Sequence, residues 1–443
     1  MKLVEKKYLL PFIVITTLFA LWGFANDITN PMVAAFQTLM ELPAAKASLI
    51  QFAFYGGYAT MAIPAALFIR KYSYKSGILL GLALYAVGAF LFIPAAARQS
   101  FTFFCFSLYI LTFGLAFLET TANPFILSLG EKQNATRRLN LAQAFNPVGS
   151  LAGMAVASMI VLPNLLSDKR DAAGNILFPT LSEAEKADIR LHDLAVIRDP
   201  YVALGCVVLV MFVIIALVKV PQSPHSALVA ESPKAKGIAG QARNEVSFKR
   251  TLRRLWKNRV YREGVIAQVF YVAAQIMVWT FIIQYADNLG INKATAQNYN
   301  IAAMCLFLCG RFLSTWLMKY TDGRKLLTIF GLCAALCSLG AILIVGKVGL
   351  YCLIGISLFM SLMFPTIYGT ALEKVSLEDA SLGAAFLVMA IVGGALMPPL
   401  QGMIIDCGTI CGHPAVNVSY GLPLICFVVV AIYGLRAGKA NIK

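Results

Sequence analysis

Long apolar runs alternate with short polar turns along almost the whole chain. Twelve stretches of predominantly apolar residues lie at about 8–38, 47–69, 77–96, 101–129, 139–163, 200–220, 262–286, 296–318, 326–346, 349–372, 381–405 and 415–435. A helix of about 20 such residues crosses a hydrocarbon core about 30 Å thick. The pattern therefore predicts an all-α integral membrane protein with twelve transmembrane helices, and an even number places both termini on one side.

Composition agrees with a membrane protein and changes how the net charge is interpreted. Of the 443 residues, 59% are hydrophobic and 13% are charged, and this charged share is about half that of a typical soluble domain. The net charge of +16 would favour nucleic acid in a soluble protein, but the chain has no polar domain to carry that function. We therefore expect the lipid bilayer as a partner, and no nucleic acid.

The distribution of basic residues predicts the orientation. With the N-terminus in the cytoplasm, inner tails and loops hold 27 of the 37 Lys and Arg residues, outer loops hold nine, and Arg311 lies within a helix. Basic residues collect on the cytoplasmic side of membrane proteins, so both termini are expected there. The first apolar run has no small-x-small cleavage pattern and is too long for a signal peptide, so we interpret it as a spanning helix.

A polar segment in the middle of the chain predicts two halves. Residues 221–258 are rich in Pro, Ser, Gly, Lys and Arg, and the basic, amphipathic stretch from Lys249 to Arg262 is expected to lie along the inner membrane surface. We predict six-helix bundles at 1–220, with an outer loop at 163–199, and at 259–443. The turns "RKYSYK" and "MKYTDGRK" occupy corresponding places, as expected for repeated halves with a ligand site between them.

Three charged residues lie deep within the apolar runs, away from their ends: Asp27, Glu119 and Arg311. An ionisable group at membrane depth is costly and marks an ion or proton pathway. Counting ~1.5 Å per residue from the helix centres, Glu119 and Arg311 lie inward of the midplane and Asp27 outward. We predict that Asp27 and Glu119 bind the coupling cation. Arg311, from the other half, is the hypothetical charge partner of Glu119 in at least one conformation.

Carboxamides with an interleaved tryptophan form two polar stripes. Asn140, Gln143 and Asn146 follow i, i+3 and i+6, which is one face of a helix. The stripe in the seventh apolar run consists of Gln268, Tyr271, Gln275 and Trp279. Amides both donate and accept hydrogen bonds, and an indole face stacks on a sugar ring, so the stripes favour a neutral polyhydroxylated ligand. The alternative is that these amides join helices only for packing.

Other chemistries lack the residues they need. The three histidines lie outside the apolar runs, and cysteine pairs such as Cys305 and Cys309 are at the i, i+4 spacing of packing residues. We therefore expect no metal site and no cofactor. The chain has no phosphate-binding loop, nucleophile elbow or nucleophile–base pair at membrane depth, so we expect neither an enzyme nor an ATP-driven pump.

Seven strings in the chain resemble one family. They are "LWGFAND", "QFAFYGGY", "FLETTANPF", "RRLNLAQAFNPVGS", "AQVFYVAAQIMVW", "CGRFLSTWL" and "FPTIYG", and they are similar to the fucose–galactose–glucose:cation symporter family of the major facilitator superfamily. This resemblance implies a rocker-switch importer in the bacterial inner membrane that moves L-fucose or a related hexose inward with protons. We expect it to act as a monomer.

The resemblance also guides the site assignment. Glu119 matches the family carboxylate of the fourth helix, and Gln143, Asn146, Gln275 and Arg311 match polar family positions. In the first helix the family has Asn where this chain has Asp27 and Asp where it has Asn30, so coupling to sodium instead of protons stays open. A drug:proton antiporter of the same fold is the other alternative. We assign substrate binding to Asn26, Asn30, Gln51, Tyr58, Asn123, Gln143, Asn146, Tyr271, Gln275, Trp279 and Phe364, in a cavity lined by the first, fourth, seventh and tenth helices.

Overall fold

The fold is a bundle of long helices. A computed structural model describes residue 4 and residues 8–42, 49–169, 177–218, 238–291, 293–376, 379–410 and 412–439. The helices of the first half are α1 (Leu9–Leu39), α2 (Leu49–Lys71), α3 (Tyr74–Phe90), α4 (Phe92–Ala97), α5 (Phe101–Ser128), α6 (Ala135–Gln143), α7 (Phe145–Val156) and α8 (Glu183–Leu217), and α9 (Ile238–Lys257) follows them. Those of the second half are α10 (Arg259–Asn288), α11 (Lys293–Leu317), α12 (Gly323–Leu343), α13 (Lys347–Met360), α14 (Met363–Leu372), α15 (Ala380–Met389), α16 (Gly393–Ile405), α17 (Ala415–Ser419) and α18 (Gly421–Lys439).

The remaining regular structure is short. A two-stranded antiparallel ribbon pairs β1 (Thr409–Ile410) with β2 (His413–Pro414), with Ile410 opposite His413. One turn of π-helix, Ala157–Val161, extends α7. Turns of 3-10 helix occur at Lys132–Asn134, Leu162–Asn164, Leu166–Asp168, Phe178–Thr180 and Ala390–Val392.

Twelve helical spans in the described residues are long and apolar enough to cross a membrane. This confirms the predicted fold class and the predicted number of transmembrane helices. Five spans contain two α-helices, namely the third (α3 and α4), fifth (α6 and α7), tenth (α13 and α14), eleventh (α15 and α16) and twelfth (α17 and α18). Broken helices at membrane depth are tolerated where they line a cavity or are buried in protein.

Four of these breaks precede prolines. A proline occupies the third position of the new segment in α4, α7, α14 and α18, namely Pro94, Pro147, Pro365 and Pro423. Proline is tolerated in a first helical turn because its missing N–H would have no partner inside the helix. Two of the breaks lie where Gln143 ends α6 and where Met363, followed by Phe364, begins α14.

The fifth span packs unusually close to α1. A Cβ atom on Gly23 would lie 1.9 Å from the Asn146 carbonyl oxygen, and one on Gly149 would lie 1.7 Å from that of Ala20. Only glycine permits this approach, as at other close helix crossings in membranes. The contact lets Asn146 Nδ2 donate to the Phe19 carbonyl at 3.2 Å, and it fixes α7 beside the polar end of α1.

Two predicted segments contain a helix boundary. The predicted outer loop, 163–199, is helical from Glu183 onward, because Ser182 and Glu185 form a capping box that starts α8 within polar sequence. Within the amphipathic stretch that was predicted to reach Arg262, α9 ends at Lys257. The Asn258 side chain then accepts a hydrogen bond from the Tyr261 N–H at 3.2 Å and caps the start of α10.

The two halves contact each other at the end of the bundle where α1 begins and α18 ends. Arg137, near the start of α6, donates from Nε to the Thr315 carbonyl at 3.3 Å, and Asn140 Nδ2 donates to Thr366 Oγ1 at 3.4 Å. The backbone of Gly369 packs against Thr136. These contacts close the bundle at the end that holds the termini.

Candidate functional site

A cavity of about 110 Å³ lies between the two halves. A buried water occupies at least about 10–15 Å³ of such space, so the cavity has room for several waters or a small polar ligand. Eight spans contribute side chains: the first, second, fourth and fifth from one half, and the seventh, eighth, tenth and eleventh from the other. The cavity is therefore lined by twice as many helices as the four predicted.

Most of the predicted site residues meet in the wall of this cavity. Both predicted cation ligands and the predicted charge partner are present, together with seven of the predicted substrate-binding residues. These ten are Asn26, Asp27, Tyr58, Glu119, Gln143, Asn146, Gln275, Trp279, Arg311 and Phe364.

Four predicted residues are not found in the wall. Asn123 and Tyr271 are fully buried behind it: Asn123 Oδ1 accepts from Gln143 Nε2 at 2.9 Å, and Tyr271 packs edge-to-face on Phe364 with ring centroids 6.3 Å apart. They lie one layer behind the positions predicted for them, because both side chains turn toward neighbouring helices. The side chains of Asn30 and Gln51 lie outside the described residues.

The sequence prediction missed ten lining residues, most of them apolar. Several lie one or two helical turns from a predicted residue and so share its face; Trp22 precedes Asn26 by four positions, and Phe307 precedes Arg311 by four. Helical spacing alone would have found these. The missed residues are Phe19, Trp22, Phe54, Tyr55, Ser150, Val272, Ile276, Met304, Phe307 and Ile391.

Arg311 connects the two halves through an amide. Its Nη1 donates to Gln143 Oε1 at 3.2 Å, and Gln143 in turn donates to Asn123. The guanidinium carbon also lies 5.0 Å from the centroid of the Phe307 ring, a cation–π geometry that favours a charged group with little access to water. Among the described residues of the second half, Arg311 is the one that contributes a formal charge to the cavity wall, and its hydrogen-bond partner Gln143 is neutral.

Glu119 is half-buried and incompletely bonded. Its Oε2 atom is enclosed without a hydrogen-bond partner, as is Nε of Arg311. Both residues are described, and no ion pair within 4 Å joins them, so the hypothetical pairing is not present in this conformation. Buried polar atoms almost always find partners. The Glu119 oxygen can therefore take up a proton or accept a hydrogen bond from a water or a ligand hydroxyl, and the Arg311 N–H can donate to a water or a ligand oxygen.

Asp27 lies in a polar corner formed by the first and second spans. The residue is 2% exposed, and Asn26 Nδ2 donates to its Oδ2 at 3.5 Å. The Tyr55 hydroxyl donates to Asn26 Oδ1, also at 3.5 Å. The Asn26 amide thus places a neutral donor beside Asp27, and such a donor can stabilise a carboxylate without neutralising it.

Both halves contribute aromatic side chains to the cavity wall, five from the first half and three from the second. The Trp279 indole N–H donates to Ser357 Oγ at 3.2 Å, and its ring packs edge-to-face on Phe307 at 5.1 Å between centroids. Because its N–H is occupied, Trp279 offers the cavity an apolar ring surface. A wall that combines amides with aromatic surfaces suits a sugar ring, which carries polar hydroxyl groups and apolar ring faces.

No group of three or more His, Cys, Asp or Glu residues that could hold a metal ion occurs among the described residues. The chemistry of the cavity is that of carboxyl, amide, guanidinium and aromatic groups. Such a set can bind a neutral polar ligand and exchange a proton.

The sequence profile of the Major Facilitator Superfamily matches residues 13–399. The chain belongs to this superfamily. It is 64% identical over 438 residues to the L-fucose-proton symporter of Haemophilus influenzae, and the match covers 99% of each chain. It is 35% identical to the L-fucose-proton symporter of Escherichia coli over 97% of this chain and 93% of that one. The resemblance read from the motifs is confirmed.

Solved structures agree with these relatives. The superfamily transporter FucP in an outward conformation aligns with a TM-score of 0.83 and 33% identity, covering 98% of this chain and 99% of that chain. The proton:xylose symporter XylE, at 15% identity and a TM-score of 0.69 over 96% of this chain and 94% of its own, shares the fold.

Proposed function

We propose that this multi-pass membrane protein imports L-fucose together with protons. One observation carries the proposal: a half-buried carboxyl group, Glu119, shares a cavity between two helical bundles with amides and an indole ring suited to a sugar. The relative that is 64% identical over nearly its whole length is named an L-fucose-proton symporter. Its family consists of transporters, and the chain is not an enzyme.

The proposed mechanism is alternating access. The halves touch at the end that holds the termini, and the outward FucP structure superimposes well. Both facts support assigning this conformation to the outward-facing state, with the contacts of Arg137 and Asn140 closing the cytoplasmic side. Rocking of the halves about the cavity would break these contacts and open that side.

Coupling follows from the cost of enclosing a charge. An ionised carboxylate without a partner is expensive to bury, so closure of the outer side over Glu119 is favoured once a proton neutralises it. Sugar bound to Gln143, Asn146, Gln275 and Trp279 would draw the halves together over the same cavity. Each proton that enters gains about 2.3 kcal/mol per 100 mV of membrane potential.

We further propose that both termini are cytoplasmic, that the membrane is the bacterial inner membrane, and that the monomer is the working unit. The distribution of Lys and Arg supports the orientation, and the cavity is completed within one chain. Limited proteolysis of the tails in vesicles of defined orientation would test the topology.

The function is tested by adding L-fucose to proteoliposomes and following the external pH. Proton symport predicts that the outside becomes more alkaline, whereas a drug:proton antiporter would acidify it on adding its substrate. If fucose uptake requires sodium and leaves the external pH unchanged, the coupling ion is sodium. This is the alternative suggested by the presence of Asp27 where the family has asparagine. Titration calorimetry with a panel of monosaccharides, at two pH values with and without sodium, would identify the preferred sugar.

A further inference from the structure

A second cavity lies on the outer surface of the first half, away from the cavity between the halves. It has a volume of about 780 Å³ and lies between α1, α7 and α8. Its walls are mainly apolar, with Phe24, Val156 and Leu204 among them. Val148 and Val207, which also line it, are 42% and 49% exposed. Because these helices span a membrane, the exposed face of this groove meets lipid, and we call it the α1–α7–α8 groove.

The groove is polar at one end only. His192, Asn164 and Asp199 line that end. Arg198 lies next to it and donates to Asp199 Oδ1 from Nε at 2.8 Å and from Nη2 at 2.6 Å. The two side chains remain 32% and 64% exposed. The polar end therefore presents one positive and one negative group side by side, both accessible to a ligand.

The part of the groove that runs inward from Asp199 matches one leaflet of a bilayer in length. Asp199 is the last charged residue before the apolar part of α8, so it lies near the boundary between headgroups and hydrocarbon. From Asp199 to Val207 the helix rises about 12 Å at ~1.5 Å per residue. Half of a hydrocarbon core about 30 Å thick is about 15 Å. The groove thus runs from the headgroup level almost to the midplane, on the side opposite the termini.

We propose that the α1–α7–α8 groove binds one acyl chain of a phospholipid whose headgroup carries both a phosphate and a primary ammonium, as phosphatidylethanolamine does. The phosphate meets Arg198, because guanidinium groups pair well with phosphate. The ammonium donates to Asp199. A choline headgroup has no N–H group and so cannot donate a hydrogen bond to Asp199. An anionic headgroup that lacks an amine would place its negative charge beside Asp199 without a donor to compensate for the repulsion.

The test is native mass spectrometry of the purified full chain in detergent. Phosphatidylethanolamine, phosphatidylcholine and phosphatidylglycerol with identical acyl chains are added in equal amounts. We expect one phosphatidylethanolamine to be retained at least about fivefold more than either competitor. Ala203→Phe fills the groove from an exposed position on its wall, and it should abolish this preference. Val213→Phe, on the same helix, 54% exposed and outside the groove, is the matched control and should retain it.

Further variants test the groove and the headgroup contacts separately. Ala152→Phe fills the groove from α7 and repeats the test if Ala203→Phe fails to fold. The double variant Arg198→Gln, Asp199→Asn should keep a bound lipid but lose the discrimination among headgroups. Equal retention of the three lipids by the unmodified protein would overturn the headgroup assignment. Undiminished retention in both groove-filling variants would overturn the site itself.

Discussion

Replacing Gly369 with alanine should shift the chain away from the conformation described here. Gly369 lies on α14 at the closed end, where the halves meet. A Cβ atom there would lie 2.7 Å from Thr136 Oγ1, 3.2 Å from its Cγ2 and 3.3 Å from its Cβ. Rotating the Thr136 side chain cannot relieve the overlap, because its Cβ is also close. The helices α6 and α14 must separate instead.

The size of the expected shift can be estimated because Gly369 contacts Thr136 only while the halves meet at this end of the bundle. Overpacking in a tight contact costs about 1–3 kcal/mol, and the cost disappears once the halves separate at this end. A difference of that size changes the ratio of two conformations by roughly 5–150-fold. Gly369→Ala should therefore lower the ratio of this conformation to one that is open at this end by about that factor.

Distances between spin labels would measure this shift. On a background without the ten native cysteines, one pair at Tyr72 and Tyr320 reports on the closed end. A second pair, at Arg98 and Val345, reports on the opposite end. We expect Gly369→Ala to populate longer distances for the first pair and shorter ones for the second.

Two variants show whether the change in distances comes from the contact between Gly369 and Thr136. Gly355→Ala, on α13 of the same span, places its Cβ 4.0 Å from the nearest atom, Cys337 Sγ, and should leave both distributions unchanged. Adding Thr136→Ala to Gly369→Ala removes two of the three close atoms and should reverse most of the shift. If Gly369→Ala leaves both distance distributions as in the parent protein, the contact does not control the closed end.

Other predictions concern an ion pair and the cavity wall. Burial acts to raise the pKa of Asp379, but hydrogen bonds from Arg254, Thr251 and Ser376 outweigh it and hold the pKa below its usual range. A pKa that is lower in the folded state than in the unfolded state stabilises the fold at pH values above the unfolded-state pKa of about 3.9. This stabilisation is lost as the pH falls through the folded-state pKa. Asp379→Asn should lower the melting temperature at pH 7 and flatten its decline in acid, as thermal unfolding in detergent would show. Trp279→Ala should weaken L-fucose binding about tenfold in calorimetry and Trp279→Phe much less, because phenylalanine keeps an apolar ring; equal losses would contradict an aromatic contact.

The helical membrane architecture could be predicted from the sequence alone. Twelve apolar runs are a strong signal because a bilayer allows a spanning segment few forms other than a helix. The charged residues at membrane depth were also informative, since their cost means that few occur without a role. Asp27, Glu119 and Arg311 all reach the cavity.

The details that were missed depend on packing between distant segments. Nothing in the spacing of Asn123 distinguishes a side chain that lines a cavity from one that supports Gln143 from behind. The partner of Arg311 was also unpredictable, because Gln143 reaches it only after the fifth span breaks and the halves meet. The early start of α8 escaped notice because hydropathy finds the apolar part of a helix and overlooks a polar first turn.

The most direct test of coupling compares two assays on Glu119→Gln in proteoliposomes. Glutamine keeps the size and polarity of the side chain but cannot exchange a proton. The account predicts that this variant loses uphill accumulation of L-fucose but still exchanges labelled for unlabelled sugar. Glu263→Gln, a carboxylate paired with Arg259 outside the cavity, should retain both activities. Full uphill accumulation by Glu119→Gln would contradict the claim that protonation of this group couples the proton to the sugar.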